Sequence, residues 1–486
     1  MYLLSLHLQI QAKMEKSKLY SIIESFDKYE QNRCRKYIQS PYFNKSAQLV
    51  DLFDLLVKHI NKKTQKAINK QLFWKKMHAE RIYDDVRFRK YTSDLLKLIE
   101  GFISQQVYEE NTLHQAEYLM KAVERRRLSK LYSSTVRGAR QVLEKQEYRP
   151  AQYYYHQYKI ERSYFELVEL DRQERTNYEA IVSNLDQFYF AEKLGLYCGS
   201  LTRRRDTAHD YEMSFTNQIF DYINSVNIKD FAPIVQIYYQ VYLVFTYQED
   251  TSYYFQYKNL LKEYSNIVTE RETYQLFTYA QNYCAFRLNE GKVEFLNELF
   301  ELYQTMIERE IIFEKGRLSP WDFKNIVVIA SRVGQFEWAK SFIDDYAIRL
   351  PEDFRENAVS FNLARLYFDQ KKYDAVIDLL RTIEYDDISY NLESKTMLLI
   401  TYFETDEIDA LYFLLESFRT YLNRHKEIPE QRRTYYKNLL RFTKKLSKIM
   451  PRDQKAIDKI KTEIAETAGF NVRWLNEKIA ALEKGR

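Results

Sequence analysis

Apolar residues recur every three to four positions through most of the chain, and the polar intervals between such stretches are short. From Gln48 to Ile60 the apolar set is Leu49, Leu52, Phe53, Leu55, Leu56 and Ile60, one face of an amphipathic helix. Ser40-Pro41-Tyr42-Phe43-Asn44 ahead of it reads as a turn, because Pro restricts its predecessor and Asn favours bends. Asp84 to Ile103 predicts a second long helix, with Tyr91, Leu95, Leu96, Leu98 and Ile99 on one side, and Gln71 to His78 a shorter one. From about residue 110 the helices come in pairs. Thr112 to Arg126 turns at Arg127-Leu128-Ser129 into a helix that runs to Lys145. Pro150 fits the first turn of the next, where its missing N–H costs nothing, and that helix runs to about Asp171. Its partner is expected over Tyr178 to Tyr197, and residues 199–212, with Gly199, Arg203 to Arg205, Asp206 and Thr207, read as a polar connection.

The clearest periodicity lies between about residues 230 and 425. The small or apolar residue just after each predicted hairpin turn is Phe255, Leu296, Ala339, Ala375 and Ala410, at steps of 41, 43, 36 and 35. A single hairpin cannot bury its apolar face alone, so such units must stack.

The hairpin 320–351 carries a resemblance to tetratricopeptide repeats, whose period is about 34 residues. Phe323 stands at the consensus Trp position, Gly334 at the turn, Phe336 at the Tyr position, Ala339 at the small position where two helices cross, and Pro351 at the terminal Pro. Ser319-Pro320-Trp321-Asp322 has the form of an N-cap with Pro in the first turn. Ile326-Val327 replaces the consensus Leu-Gly pair, and Ala330 replaces Tyr. The next units, with Leu363-Ala364, Tyr367, Tyr373 and Ala375, then Leu398-Leu399, Tyr402 and Ala410, each read one residue short of consensus. The chain also resembles a bacterial family of helical proteins at Ser40 to Asn44, Leu318 to Trp321 and Trp474 to Lys478. That likeness implies a fold and no activity.

Composition agrees with long helices. Nine Gly and seven Pro in 486 residues are too few for the turns of a sheet-rich fold. The 43 Tyr and 30 Phe supply much of the expected core. A net charge of +5 is close to balance at this length and does not by itself imply nucleic acid. Cys34, Cys198 and Cys284 are scattered, which argues for a reducing compartment and buried thiols. The first residues lack the basic start and cleavage site of an export signal, so they are expected to be a tail, with Met14 a plausible start. No apolar run approaches a membrane span, and the expected location is cytoplasmic.

Familiar chemistry finds little purchase. The seven His are isolated, and His209-Asp210 with Asp206 reads as a solvated loop, so no metal is expected. Nine dispersed Gly build no phosphate-cradling loop, and no G-x-S-x-G elbow occurs; no cofactor and no catalytic residue is assigned. The aromatic-basic stretch Tyr148 to Phe165 is read as packing, with Tyr154, Tyr158 and Phe165 on one face. Arg125 to Arg127 and Arg203 to Arg205 read as solvated turns.

Two surfaces remain. By resemblance, the first helix of each pair lines a concave groove, here through Trp321, Lys324, Val328 and Ser331, then Phe361, Arg365 and Phe368, then Glu393, Thr396, Ile400 and Phe403. Lys324, Asn362 and Arg365 echo the family's carboxylate clamp, but Val328, Glu393 and Met397 break it, and that ligand is not expected. A mostly apolar groove suits an amphipathic helix, the chain's own terminus included. The second surface is basic. Between Arg424 and Lys461 there are 13 Lys or Arg and 4 Asp or Glu, and Arg432, Arg433, Lys437, Arg441, Lys444, Lys445 and Lys448 recur at helical spacing. Such a face is usually just solvated, but it can follow a polyanion.

The expected architecture is all-α: a tail (1–17), an N-terminal helical domain (18–108), long hairpins (110–229), a right-handed α-solenoid of tetratricopeptide-like repeats (230–425), and basic helices with a terminal cap (426–486). The expected function is a non-catalytic scaffold that binds a protein or peptide in the groove. The alternative is a nucleic-acid-associated regulator using the basic helices.

Overall fold

Hydrophobic spacing of three and four residues, with hardly any Gly or Pro to interrupt it, produces 23 α-helices and one two-stranded hairpin among the described residues. The computed structural model describes residues 14–62, 68, 70–78, 80–169, 177–207, 211–381, 387–467 and 469–485. Two compact units divide the chain, Met1–Tyr189 and Phe190–Arg486.

In the first unit, α1 (Lys18–Ser25), α2 (Lys28–Gln39), α3 (Ala47–Asn61), α4 (Lys70–Met77) and α5 (Asp85–Glu110) share one core. Leu52, Phe53, Leu56, Phe88, Leu95 and Ile99 are among its most buried members, with Ile23, Cys34 and Ile38. Asp27 and Glu30 close a reciprocal capping box on α2, with bonds of 2.8 and 3.1 Å. The Ser40–Asn44 bend is held by Asn44, whose amide donates to the Ile38 and Ser46 carbonyls and whose Oδ1 accepts from the Ser46 N–H. Then α6 (Thr112–Arg125), α7 (Tyr132–Glu144) and α8 (Ala151–Glu169) form a second cluster around Met120, Val136, Ala139 and Ile160. Helix α8 buries Ala151, His156, Ile160, Ser163 and Phe165, so of the three aromatics expected on one packed face Phe165 is buried while Tyr154 and Tyr158 are only half-buried. Arg127 does sit at a turn, in left-handed backbone.

Helix α9 (Tyr178–Thr207) runs ten residues past its expected end at Tyr197. The expected connection 199–212 is therefore helical to Thr207. Gly199 does not break it: a Cβ there would meet only the Tyr279 hydroxyl, at 3.8 Å. Arg is moreover a good helix former. His209 and Asp210 lie outside the described residues, as do residues 1–13.

The second unit continues with α10 (Thr216–Ser225), α11 (Pro233–Thr246), α12 (Thr251–Tyr264), α13 (Glu270–Asn289) and α14 (Phe295–Glu308). After β1 (Phe313–Glu314) and β2 (Arg317–Leu318), which pair antiparallel across a Lys315-Gly316 turn, come α15 (Pro320–Val333), α16 (Phe336–Tyr346), α17 (Glu352–Asp369) and α18 (Tyr373–Leu380). The unit ends with α19 (Ile388–Glu404), α20 (Ile408–Arg424), α21 (Glu430–Leu446), α22 (Gln454–Ala465) and α23 (Val472–Glu483). From α11 onward every helix packs on its successor, and α15 also packs on α17, α17 on α19 and α21 on α23.

One turn geometry recurs in this unit. Gly291, Gly334, Lys371 and Asp406 are left-handed (φ 86°, 86°, 59° and 58°). After each, the next N–H donates to the carbonyl five residues back: Lys292 to Arg287, Gln335 to Ala330, Lys372 to Tyr367, Glu407 to Tyr402. This is the Schellman closure of a helix C-terminus, which Gly normally takes and which two of these turns make with a side chain present. Five residues beyond each left-handed position stands a buried apolar residue: Leu296, Ala339, Val376 and Leu411, the last three wholly inaccessible. The residues expected there were Ala375 and Ala410, and both are only half-buried. Counted from Tyr367 to Val376 and from Tyr402 to Leu411, these units match the hairpin with Ala330 and Ala339, and the apparent one-residue shortening disappears. At the α11–α12 hairpin it is Tyr254 that is buried, while Phe255 is 44% exposed.

A second device recurs at helix starts. A buried apolar residue precedes the helix, and a side chain five residues on reaches back to its carbonyl: Gln31 to Phe26 at 3.2 Å, Gln236 to Phe231 at 2.8 Å, Arg355 to Leu350 at 3.2 Å, Arg433 to Ile428 at 2.8 Å. The two arginines also hold the carbonyl two residues earlier, Ile348 and Lys426. Both follow Pro-Glu by three residues, Pro351-Glu352 and Pro429-Glu430.

Candidate peptide-binding cleft

Helices α15, α17 and α19 are the first members of successive pairs, and their shared face carries the residues expected to line a groove. The upper part of that face is filled. Lys324 of α15 is 7% exposed, and its Nζ lies 5.3, 5.4 and 5.2 Å from the ring centroids of Trp321, Phe361 and Tyr390. The same ammonium donates to Glu393 Oε1 of α19 at 2.6 Å, across the intervening α17. A cation over three aromatic faces and against a carboxylate is well compensated for its lost hydration. Lys324 is thus a structural cation, not a free ligand for a partner. Phe361 beneath it is wholly buried and belongs to the core rather than to a wall. Trp321 is half-exposed at the edge.

Below this plug the face opens into a cleft of about 410 Å³. Arg365, Phe368, Glu393, Thr396, Met397 and Ile400 form one side, and Arg432 and Tyr436 of α21 with Phe470 and Asn471 form the other. The volume is within the usual range for ligand sites, roughly 300–1,000 Å³. Arg365 is fixed by Asp369, whose Oδ2 accepts from its Nε at 3.2 Å and from Ser331 Oγ at 2.6 Å. Tyr436 packs against Phe470 with ring planes tilted by 43° and centroids 4.6 Å apart, and burial pushes its hydroxyl pKa up, against the smaller opposing effect of Arg432. The floor is apolar, and of the two guanidinium groups at its edges only Arg432 has no carboxylate partner among the described residues.

Five of the residues expected to line the groove therefore meet in this cleft: Arg365, Phe368, Glu393, Thr396 and Ile400. The clamp-like trio does not converge. Lys324 is caged, and Asn362 is wholly buried, its amide donating to the Ala358 carbonyl at 2.7 Å while its Oδ1 has no partner among the described residues. Tyr436, Phe470 and Asn471 were not legible as lining residues. The signal was the Gly469-Phe470-Asn471 run before the last helix, where Asn471 takes left-handed backbone (φ 55°) and turns Phe470 inward.

That last helix, α23, is latched. Glu404 at the end of α19 accepts from Trp474 Nε1 at 2.7 Å and from Lys478 Nζ at 2.6 Å, and Phe403 meets the Trp474 ring edge-on at 5.3 Å.

The basic face on α21 is less free than its composition implied. Arg433 is turned into the preceding loop as described above. Lys444 pairs with Glu416 at 3.1 Å, and Lys445 with Glu463. Arg441 lies over its neighbour Phe442, while Lys437 and Lys448 are exposed with no acidic partner among the described residues. What is left for a polyanion is thus Lys437 and Arg441, one turn apart on α21, with Lys448 in the turn past its end rather than on the helix as its spacing implied.

Elsewhere, Cys34, Cys198 and Cys284 are free and wholly buried. Burial pushes the Cys34 and Cys284 thiols up to about 12 and Cys198 higher, which keeps them in the unreactive thiol form. His156 Nδ1 lies 2.6 Å from Glu117 Oε1 in the α6–α8 core. Among the described residues no group of three metal-ligating side chains converges, and no helix is long and apolar enough to cross a membrane. Comparison of the chain with protein-family models, curated proteins and solved structures gives no match.

Proposed function

We propose that this chain is a non-catalytic, cytoplasmic scaffold whose second unit is a right-handed solenoid of tetratricopeptide-like hairpins, and that it binds a peptide segment of a partner protein in the cleft between α17, α19 and α21. The observation that carries the reading is the cleft itself: an apolar floor of Phe368, Met397, Ile400 and Tyr436 between two guanidinium groups, on the face of the first helices. The repeated Schellman turns with a buried residue five positions on support the repeat assignment. Apolar anchors in a desolvated pocket carry most of the energy of peptide recognition. A random-sequence display library selected on the full chain tests it. The peptides retained should carry a large apolar side chain and lose roughly tenfold in affinity on Phe368→Ala, a loss of about 1.4 kcal/mol. Selected peptides indifferent to both Phe368→Ala and Met397→Ala overturn the reading.

A second reading, a nucleic-acid-associated regulator, is favoured by the unpaired cations Lys437, Arg441 and Lys448. Binding through it should fall steeply with salt, whereas binding in an apolar cleft changes little. Arg441→Glu with Lys437→Glu abolishes the first and leaves the second.

A further inference from the structure

The first unit holds another cleft, of about 420 Å³, that the proposed scaffold role does not use. Its rim carries Lys16, Lys18, Lys70 and Arg89, and among the described residues no carboxylate lines it. The two acidic groups nearby are committed elsewhere. Glu15 Oε1 accepts the Ile68 N–H. Asp85 accepts from Tyr83 at 2.7 Å and pairs with Arg89 at 2.6 Å, and it also feels the charge of Lys70; these contacts, the Tyr83 hydrogen bond foremost, hold its carboxyl below the ordinary range. Lys16, Lys18 and Lys70 have no acidic partner within ion-pair distance among the described residues. Ser17 and Ser93 add hydroxyls between the cations, the Thr92 hydroxyl being donated to the Arg89 carbonyl at 2.7 Å, and Leu19 and Leu96 form an apolar floor. The residues come from separate elements: the start of α1, the start of α4, and one face of α5. Lys18 and Lys70 are each the first residue of a helix, where the backbone also favours negative charge.

We infer that this cleft binds a phosphate monoester with a small apolar body. Three terminal oxygens and up to two negative charges match several ammonium and hydroxyl donors better than a carboxylate does. The floor asks for an uncharged body rather than bare phosphate. It is proposed as a binding site, since among the described residues that line it none is a nucleophile or acid–base group placed to transfer the phosphoryl group.

Calorimetric titration of the full chain at low ionic strength tests this, with phenyl phosphate, benzoate and inorganic phosphate as probes. Phenyl phosphate is expected to bind one to one and roughly tenfold more tightly than either of the others, about the effect of one charge-assisted bond or of the buried ring. Lys18→Ala with Lys70→Ala should weaken it by roughly tenfold or more without moving the melting temperature, and Lys16→Ala alone by a smaller factor. Sedimentation with phosphatidylcholine vesicles, with and without phosphatidic acid, separates the sources. Phenyl phosphate binding with no sedimentation assigns a free ligand. Binding of both, each lost with the two lysines, assigns a headgroup that the site reaches in a bilayer. Benzoate binding as tightly as phenyl phosphate, phenyl phosphate binding unchanged by the lysine variants, vesicle sedimentation without phenyl phosphate binding, or no heat at millimolar probe each overturns the inference.

Discussion

The two clefts are nearly equal in volume and opposite in the way they treat charge. In the second unit the ionic groups are mostly consumed by the frame: Lys324 by Glu393 and three rings, Arg365 by Asp369, Lys478 by Glu404. What remains for a ligand is apolar surface with one unmatched guanidinium, Arg432. In the first unit the frame beneath the cleft is apolar, and among the described residues Lys16 and Lys18 at its rim have no ion-pair partner, while Lys70 feels Asp85 without pairing with it. Volume alone would treat the two sites alike; the partners of each charge separate them. A charge already paired positions a wall, whereas an unpaired one selects a ligand.

The comparison breaks most severely if the frame of the second cleft is not what it is described to be. Val376→Glu places an unpaired carboxylate at a wholly buried helix crossing and should cost about 4 kcal/mol or more in denaturant unfolding. Ala375→Glu, one residue earlier and half-buried, should cost about 1 kcal/mol or less. Equal losses would contradict the register and the hairpin packing with it. Next in size is the caged ammonium. Glu393→Ala leaves Lys324 buried without its carboxylate and should lower stability by about 3 kcal/mol, while Lys324→Met, which fills the same space without charge, should stay within about 1 kcal/mol of the parent. If Lys324→Met proves the more damaging, Lys324 contributes something other than a compensated charge. Smallest is the latch. Glu404→Ala removes two charge-assisted bonds to partly exposed groups and should cost about 1–2 kcal/mol. Its sharper signature is faster hydrogen exchange across 472–483 with no change in the first unit.

Sequence reading reached the helices, the all-α class and one hairpin in detail, because those rest on local spacing. Gly334, Ala339 and Phe323 fell where expected, since Gly advertises a left-handed turn and Ala a close crossing. The neighbouring hairpins hid the same geometry. Lys371 and Asp406 carry no hint that they take a Gly-like backbone, and without that anchor the register slipped by one residue, to Ala375 and Ala410. Half of the cleft was legible from the first-helix face. The rest depends on Lys324 meeting Glu393 across 69 residues and on Phe470 being turned in by Asn471, pairings that no local pattern encodes. The basic stretch was legible as charge but not as availability, because Arg433, Lys444 and Lys445 are spent on carbonyls and on carboxylates from other helices.

A chain with nine glycines must still bend. Among the described residues eight that bear side chains take left-handed backbone, including Lys371 and Asp406 between paired helices, at roughly 1 kcal/mol or more each. Those joints are wound slightly against their preference. Under pulling force or rising temperature they are where neighbouring rods would begin to part, so the order in which this molecule comes undone is written at its corners rather than in its interior.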